Sequence, residues 1–304
     1  MQLGILTAPF SDTPLEGVAG WAAAAGFTAL EIACWPTAGA EKRRYAGTAH
    51  LPVEDMTRAR GSEIMGMLAD KGLAVSGLGY YPNPLHADSA HRDAVTGHLK
   101  KVITAAGLMG VRVVNSFVGG DRTLTTDQNW TRAVEILSPV VAHAKANGVT
   151  LAFENCPMIF SHDEWPGGHN IAYAPRIWRR IFETWGDAVG MNYDPSHLVW
   201  QMIDASRFVR EFGPQMVHVH AKDLMIDREG LYENGILSAG IGWQVPRMPG
   251  LGEVDWPCFF AGLYRAGYDG PIIIEHEDRT FEGSDDKIKR GFALAHDVLR
   301  PFVK

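Results

Sequence analysis

Three observations predict an α/β chain closed into a single-domain (β/α)8 TIM barrel. Eight short apolar runs alternate with eight longer amphipathic ones along the 304 residues. The junctions AAGFTAL, DKGLAVSGL, ANGVTLAF and RAGYDGPIIIE share one grammar, in which a helix ends, Gly turns the chain and an apolar strand begins. The turn after the first strand, Ala8-Pro9-Phe10-Ser11, lacks the glycine-rich phosphate loop that opens a doubly wound sheet.

Taken in order, the strands are expected at Leu3–Thr7, Ala29–Ala33, Ala74–Leu78, Arg112–Phe117, Thr150–Glu154, Gly190–Asp194, Met216–His220 and Ile272–Glu275. Helices are expected at Leu15–Ala25, Thr57–Lys71, Ser89–Leu108, Asn129–Ala146, Pro175–Thr184, Ser206–Phe212, Trp256–Ala266 and Asp285–Leu299. The fourth helix carries Trp130, Val134, Leu137, Val141 and Ala144 at three- and four-residue spacing, which makes one buried stripe. The last carries Ile288, Phe292, Ala295 and Leu299, with Ser284 as N-cap and Asp285 and Asp286 at its positive end. No linker or short repeat divides the chain, so residues 1–304 read as one domain. Two connections, 156–174 and 223–253, are too long for ordinary turns and read as active-site loops, the second following strand seven.

Charge and composition narrow the function. With 28 basic against 35 acidic residues the net charge is −7, which argues against a nucleic-acid or anionic-membrane partner. Three scattered cysteines, Cys34, Cys156 and Cys258, offer neither a disulfide framework nor a CxxC knuckle. The first residues carry no basic side chain and no cleavage site, so a reduced, cytoplasmic protein is expected.

In a barrel of this kind the chemistry sits at the carboxyl ends of the strands. Strand five ends LAFEN and supplies Glu154. Strand six ends MNYDPSH and supplies Asp194, with His197 three residues on. Strand seven, VHVHAKD, puts His218, His220 and Lys222 on one face by two-residue alternation, and His220 lies nearer the mouth. Strand eight, PIIIEHED, supplies Glu275. A single Asp or Glu at a strand end is most often a helix cap or ion-pair partner. Four consecutive strands each offering a donor at one height point instead to a shared site. Three carboxylates converging there would repel one another, and a divalent cation relieves that cost. Three oxygens and one imidazole suit Mn²⁺ or Mg²⁺, with Co²⁺ or Zn²⁺ admitted. The expected metal ligands are therefore Glu154, Asp194, His220 and Glu275.

The segments FENCP, DPSHLVWQ, HVHAKD, PGLGEVDW and IIIEHED resemble the sugar phosphate isomerase/epimerase family of xylose isomerase-like barrels, along essentially the whole chain. That resemblance implies one divalent metal, often Mn²⁺, on the same four positions. It implies that Glu154 and Glu275 form the acid/base pair, and that His197 contacts substrate or a bound water. The related endonuclease IV-like enzymes need extra histidines at the third and fourth strand ends. Those ends read GLGYYP and VNSFVGG here, without His.

The expected chemistry is proton abstraction from a carbon beside a carbonyl of a sugar or keto-sugar, through an enediolate. Returning the proton to the opposite face epimerises, returning it to the neighbouring carbon isomerises, and losing a β-substituent eliminates. An isomerase or epimerase is the leading expectation. The alternative is a lyase or dehydratase acting on a 3-keto-glycoside, in C-glycoside cleavage, or on an inosose; a non-catalytic sugar-binding protein is a third. The partner is a small carbohydrate; a homo-oligomer, or a partner subunit for a lyase, is compatible with the fold. Lys222 is expected either to stabilise an oxyanion or to pair with Asp223. Arg247, in the long loop, binds substrate or holds the loop, and Trp165 and Trp243 are candidates to pack on sugar C–H faces. Glu253 and Asp255 read as caps of the following helix, Glu31 as a satisfied structural acid, and Cys156 as a thiol without a base.

Overall fold

The computed structural model describes residues 1–37, 46–159, 168–237 and 242–303. Eight parallel strands close into a barrel. They are β1 (Gln2–Leu6), β2 (Ala29–Ala33), β3 (Ala74–Gly79), β4 (Val113–Ser116), β5 (Thr150–Glu154), β6 (Val189–Tyr193) and β7 (Met216–Ala221), with β10 (Pro271–Ile274) closing against β1. Each expected barrel strand is present, with every end within one residue of the expected position. Around them lie α1 (Leu15–Ala24), α2 (Arg58–Ala69), α3 (Ser89–Met109), α4 (Thr126–Ala146), α5 (Pro175–Trp185), α7 (Ala205–Phe212), α9 (Trp256–Arg265) and α10 (Asp285–Leu299), and a short α6 (Ser196–Trp200) follows β6.

Local chemistry sets the helix ends. Thr125 and Gln128 form a reciprocal capping box at the start of α4. Ser284 caps α10 by accepting from the Lys287 amide. Gly110 ends α3 in the left-handed conformation, at φ 77°. The buried faces follow the spacing. Ile288, Phe292, Ala295 and Leu299 of α10 are buried, as are Trp130, Leu137, Val141 and Ala144 of α4, whereas Val134 is only partly covered. One contiguous apolar core joins the helical ring to the outer faces of the strands.

The connection after β7 is more structured than its Gly and Pro content implied. Asp223–Ile226 (β8) pairs antiparallel with Gln244–Arg247 (β9), and Arg228–Asn234 forms a short helix, α8, between them. Trp200, Leu224, Ile226 and Trp243 build a small second core beneath this ribbon. Asp223 organises its base. Its two oxygens accept from the amides of Leu224, Gly250 and Val254 and from the Trp256 indole, at 2.8–3.0 Å. Gly252 is required beside it, because a Cβ there would overlap the Asp223 carboxylate.

Candidate active site

Strand register brings the late-strand donors together. Glu154 is the last residue of β5 and lies beside Asn192 of β6, which lies beside His218 of β7; His220 lies beside Ile273 of β10. In a parallel sheet such neighbours point to the same face, so this set projects into the barrel. Glu275 follows β10 immediately and Asp194 follows β6. Asn155 locks Asp194 in place: its side chain accepts from the Asp194 amide at 2.7 Å and donates to the Asp194 carbonyl at 2.8 Å.

At the mouth, His220 Nδ1 faces Glu154 Oε2 at 3.4 Å and Glu275 Oε2 at 3.5 Å. The Lys222 ammonium lies 2.6 Å from Glu275 Oε2, 3.0 Å from Asp194 Oδ2 and 3.1 Å from Glu277 Oε2. His197 Nε2 lies 3.2 Å from Asp194 Oδ2 and 3.5 Å from Glu154 Oε1. Glu154, Asp194, His197, His220 and Lys222 are all buried.

These carboxylates draw positive charge inward. Burial pushes the Asp194 carboxyl up, yet Lys222 and His197 override it and hold it far below the ordinary range. Burial opposes ionisation of Glu275 in the same way, and Lys222 with His220 brings it down to about 2. Burial alone would keep His220 neutral, but Glu31 and Glu275 raise its affinity for a proton well above normal. Burial would also strip the proton from Lys222; Asp194, Glu275 and Glu277 hold it on.

The donor set fits a divalent cation. Glu154, His220 and Glu275 each offer an atom within 4.8 Å of the others, and His220 Nδ1 is buried with no hydrogen-bond partner. Asp194 joins them through the Lys222 bridge. Carboxylate oxygens around one imidazole are the ligand types that Mn²⁺ or Mg²⁺ takes, and the triad lacks the thiolates of a structural zinc site.

The structure therefore gathers Glu154, Asp194, His197, His220, Lys222 and Glu275 at one mouth. Lys222 pairs with Asp194, Glu275 and Glu277, not with Asp223, whose oxygens are taken by backbone and indole donors. Arg247 donates to Asp278 at 3.2 Å and Thr280 at 3.0 Å, and Trp243 packs edge-on against Trp200. Both side chains thus fasten the ribbon. Trp165 lies outside the described residues. Asp255 caps α9 as expected, whereas Glu253 accepts from the Ile226 amide and pairs with Arg228 instead. Cys156 lies near Glu154 and His197, and burial raises its thiol.

Sequence reasoning placed Glu31 outside the site, and the structure brings it in. Glu31 is fully buried in β2, and its Oε2 accepts from His220 Nε2 at 2.7 Å. Tyr81 donates its hydroxyl to the other oxygen. The signal was available: an acid inside the apolar run ALEIA can be buried only with a partner.

The profile of the xylose isomerase-like TIM barrel family matches residues 19–300. The chain belongs to that family. It is 27% identical to the uncharacterised protein YfiH of Bacillus subtilis, over 92% of this chain and 94% of that one. An inosose dehydratase of Lacticaseibacillus casei is 26% identical, over 62% of this chain and 61% of the enzyme. Among solved structures, D-psicose 3-epimerase of Clostridium cellulolyticum superposes with a TM-score of 0.70 at 16% identity, covering 100% of both chains. The 3-keto-D-glucoside 4-epimerase YcjR of E. coli superposes with a TM-score of 0.67 at 15% identity, covering 98% of this chain and 99% of that one. These structural likenesses establish a shared fold.

Proposed function

We propose that this protein is a divalent-metal-dependent isomerase or epimerase of a sugar or keto-sugar. One observation carries the proposal: two glutamate carboxylates, Glu154 and Glu275, converge on one unpartnered imidazole nitrogen at 3.4 and 3.5 Å. Glu154, Asp194, His220 and Glu275 would hold the metal, with Mn²⁺ the first choice for oxygen-rich donors. When bound, such an ion polarises a carbonyl and stabilises negative charge developing on the substrate oxygens.

The remaining work falls to the chain. One of the two glutamates takes the proton beside the carbonyl, and the other returns it. Lys222, 2.6 Å from Glu275, keeps that carboxylate ionised. The same ammonium is placed to donate to a substrate oxyanion. His197, held at Asp194 and Glu154, is positioned to donate to a sugar hydroxyl. A small carbohydrate is the expected substrate class, in keeping with the sugar epimerases among the structural neighbours.

A second reading is favoured by the dehydratase relatives. Proton abstraction at the same carbon, followed by loss of a β-hydroxyl as water or of a β-linked aglycone, would make the protein an inosose dehydratase or a keto-glycoside lyase, respectively. Incubation of the Mn²⁺-loaded protein in D₂O with ketoses, 3-keto-glycosides and inososes tests both. Deuterium entry with the carbon skeleton and substituents intact supports the epimerase or isomerase; release of water or an aglycone supports the second reading. Absence of exchange across the panel, in protein that binds Mn²⁺, contradicts both.

A further inference from the structure

We propose that Glu31 is a positioning residue for the metal site: its carboxylate, held by Tyr81, fixes the ring of His220 so that Nδ1 is presented to the cation. The inference rests on the metal-dependent reading above and deepens it.

Glu31 lies one layer below the mouth, in the wall formed by β2 and β3. The β2–β3 register shifts between Leu30 and Glu31, setting Glu31 opposite Gly77. Space for its head comes from Gly79, where a Cβ would come within 2.5 Å of Glu31 Oε1 and 2.9 Å of the Tyr81 ring. The fold therefore gives up a side chain on β3 to admit this carboxylate and its tyrosine.

The two oxygens of Glu31 are committed to different donors. Oε1 accepts from the Tyr81 hydroxyl, and Oε2 accepts from His220 Nε2 at 2.7 Å. A neutral imidazole has one N–H and one lone pair. The bond to Glu31 assigns the N–H to Nε2 and leaves the lone pair on Nδ1. That lone pair faces the Glu154 and Glu275 oxygens, a repulsive arrangement unless a proton or a metal cation sits on Nδ1 between them. A divalent cation taking the proton's place on Nδ1 would be met by both glutamates and the imidazole at once. The second nitrogen of a metal-ligating imidazole ordinarily donates to such a partner, and losing that partner costs about 10–100-fold in metal affinity.

The test measures metal binding by the folded chain and does not depend on turnover. Mn²⁺ is titrated into metal-free protein in competition with a fluorescent chelator, for wild type, Glu31→Gln, Tyr81→Phe and His220→Asn. Wild type is expected to bind one Mn²⁺ per chain. Glu31→Gln should bind about 10–100-fold more weakly, Tyr81→Phe several-fold more weakly, and His220→Asn more weakly than either. A second readout is the ¹⁵N spectrum of labelled histidine in Zn²⁺-loaded protein: His220 should carry its proton on Nε2 in wild type and lose that preference in Glu31→Gln. A merely structural Glu31 would lower the melting temperature and leave both readouts unchanged. Unaltered affinity in Glu31→Gln, alongside a large loss in His220→Asn, overturns this inference and spares the metal-dependent reading. Failure of wild type to bind Mn²⁺ overturns both. Should Glu31→Gln not fold, Tyr81→Phe decides: weakened binding supports the positioning role, and wild-type binding overturns it.

Discussion

Two histidines packed beside β1–β3 and two at the late-strand mouth behave in opposite ways. On the side of β1–β3, His50 Nδ1 lies 2.9 Å from the Thr7 hydroxyl, and its Nε2 lies 3.0 and 2.9 Å from the carbonyls of Phe10 and Thr13. His98 meets the Cys34 carbonyl at 2.8 Å. Burial lowers the proton affinity of both rings, and neutral hydrogen bonds content them. On the side of β5–β7 and β10, burial works the same way on His197 and His220, yet both are pushed well above the ordinary histidine value. Surrounding charge makes the difference. Glu154, Asp194 and Glu275 converge on the late side, where burial without positive charge would be prohibitive. Packing explains His50 and His98, and converging carboxylates set His197 and His220 apart even from His218, buried in β7, whose proton affinity burial lowers to about 4.

The comparison breaks most readily at the two glutamates. Glu154→Gln and Glu275→Gln should each lower the rate of solvent deuterium exchange into substrate by about 10²–10⁴-fold, the span of general acid–base catalysis. Equal exchange rates in wild type and both variants would reduce the late side to an ion-pair network. Next in size is Asp223→Ala, expected to destabilise the fold by about 3 kcal/mol in chemical denaturation, since it strips a carboxylate from several buried donors. A value near zero would mean that the β8–β9 ribbon is not anchored through this residue. Arg247→Ala should cost about 1–2 kcal/mol through the lost contact to buried Asp278. If Arg247 only holds the loop, turnover of the protein that remains folded will match wild type, and a raised KM would identify it as a substrate contact. The smallest effect belongs to His50. Its folded-state proton affinity lies below the unfolded value, about 6.5, so its contribution to stability is complete above that pH and is lost as the pH falls below it. Unfolding free energies measured from pH 7 downward should therefore decline less steeply in His50→Asn than in wild type.

Much of this was legible in the sequence, for physical reasons that differ by element. β7 was readable because the alternation in VHVHAKD fixes which side chains share a face. α10 was readable because its stripe and Ser284 cap are local signals. The late-strand donors were readable because the end of a barrel strand specifies height without any knowledge of distant contacts. The β8–β9 ribbon was not, since its strands lie 18 residues apart at their near ends and pair through a small core that only the folded chain assembles (Ile226 to Gln244). The partner of Lys222 was equally hidden: Asp223 is adjacent in sequence, but Asp194, Glu275 and Glu277 meet the ammonium only once β6, β7 and β10 are neighbours. Glu31 stood out as a charge in an apolar run, yet its tie to His220 spans 189 residues and depends on closure of the barrel.

The most direct test is an Mn²⁺ titration of metal-free wild type beside a Glu154→Gln/Glu275→Gln double variant, with bound metal counted by elemental analysis. One tightly bound ion per wild-type chain, and its loss from a double variant that still melts cooperatively, is the predicted result. Wild-type protein that binds no divalent ion, or a double variant that binds it as well as wild type, would contradict the account.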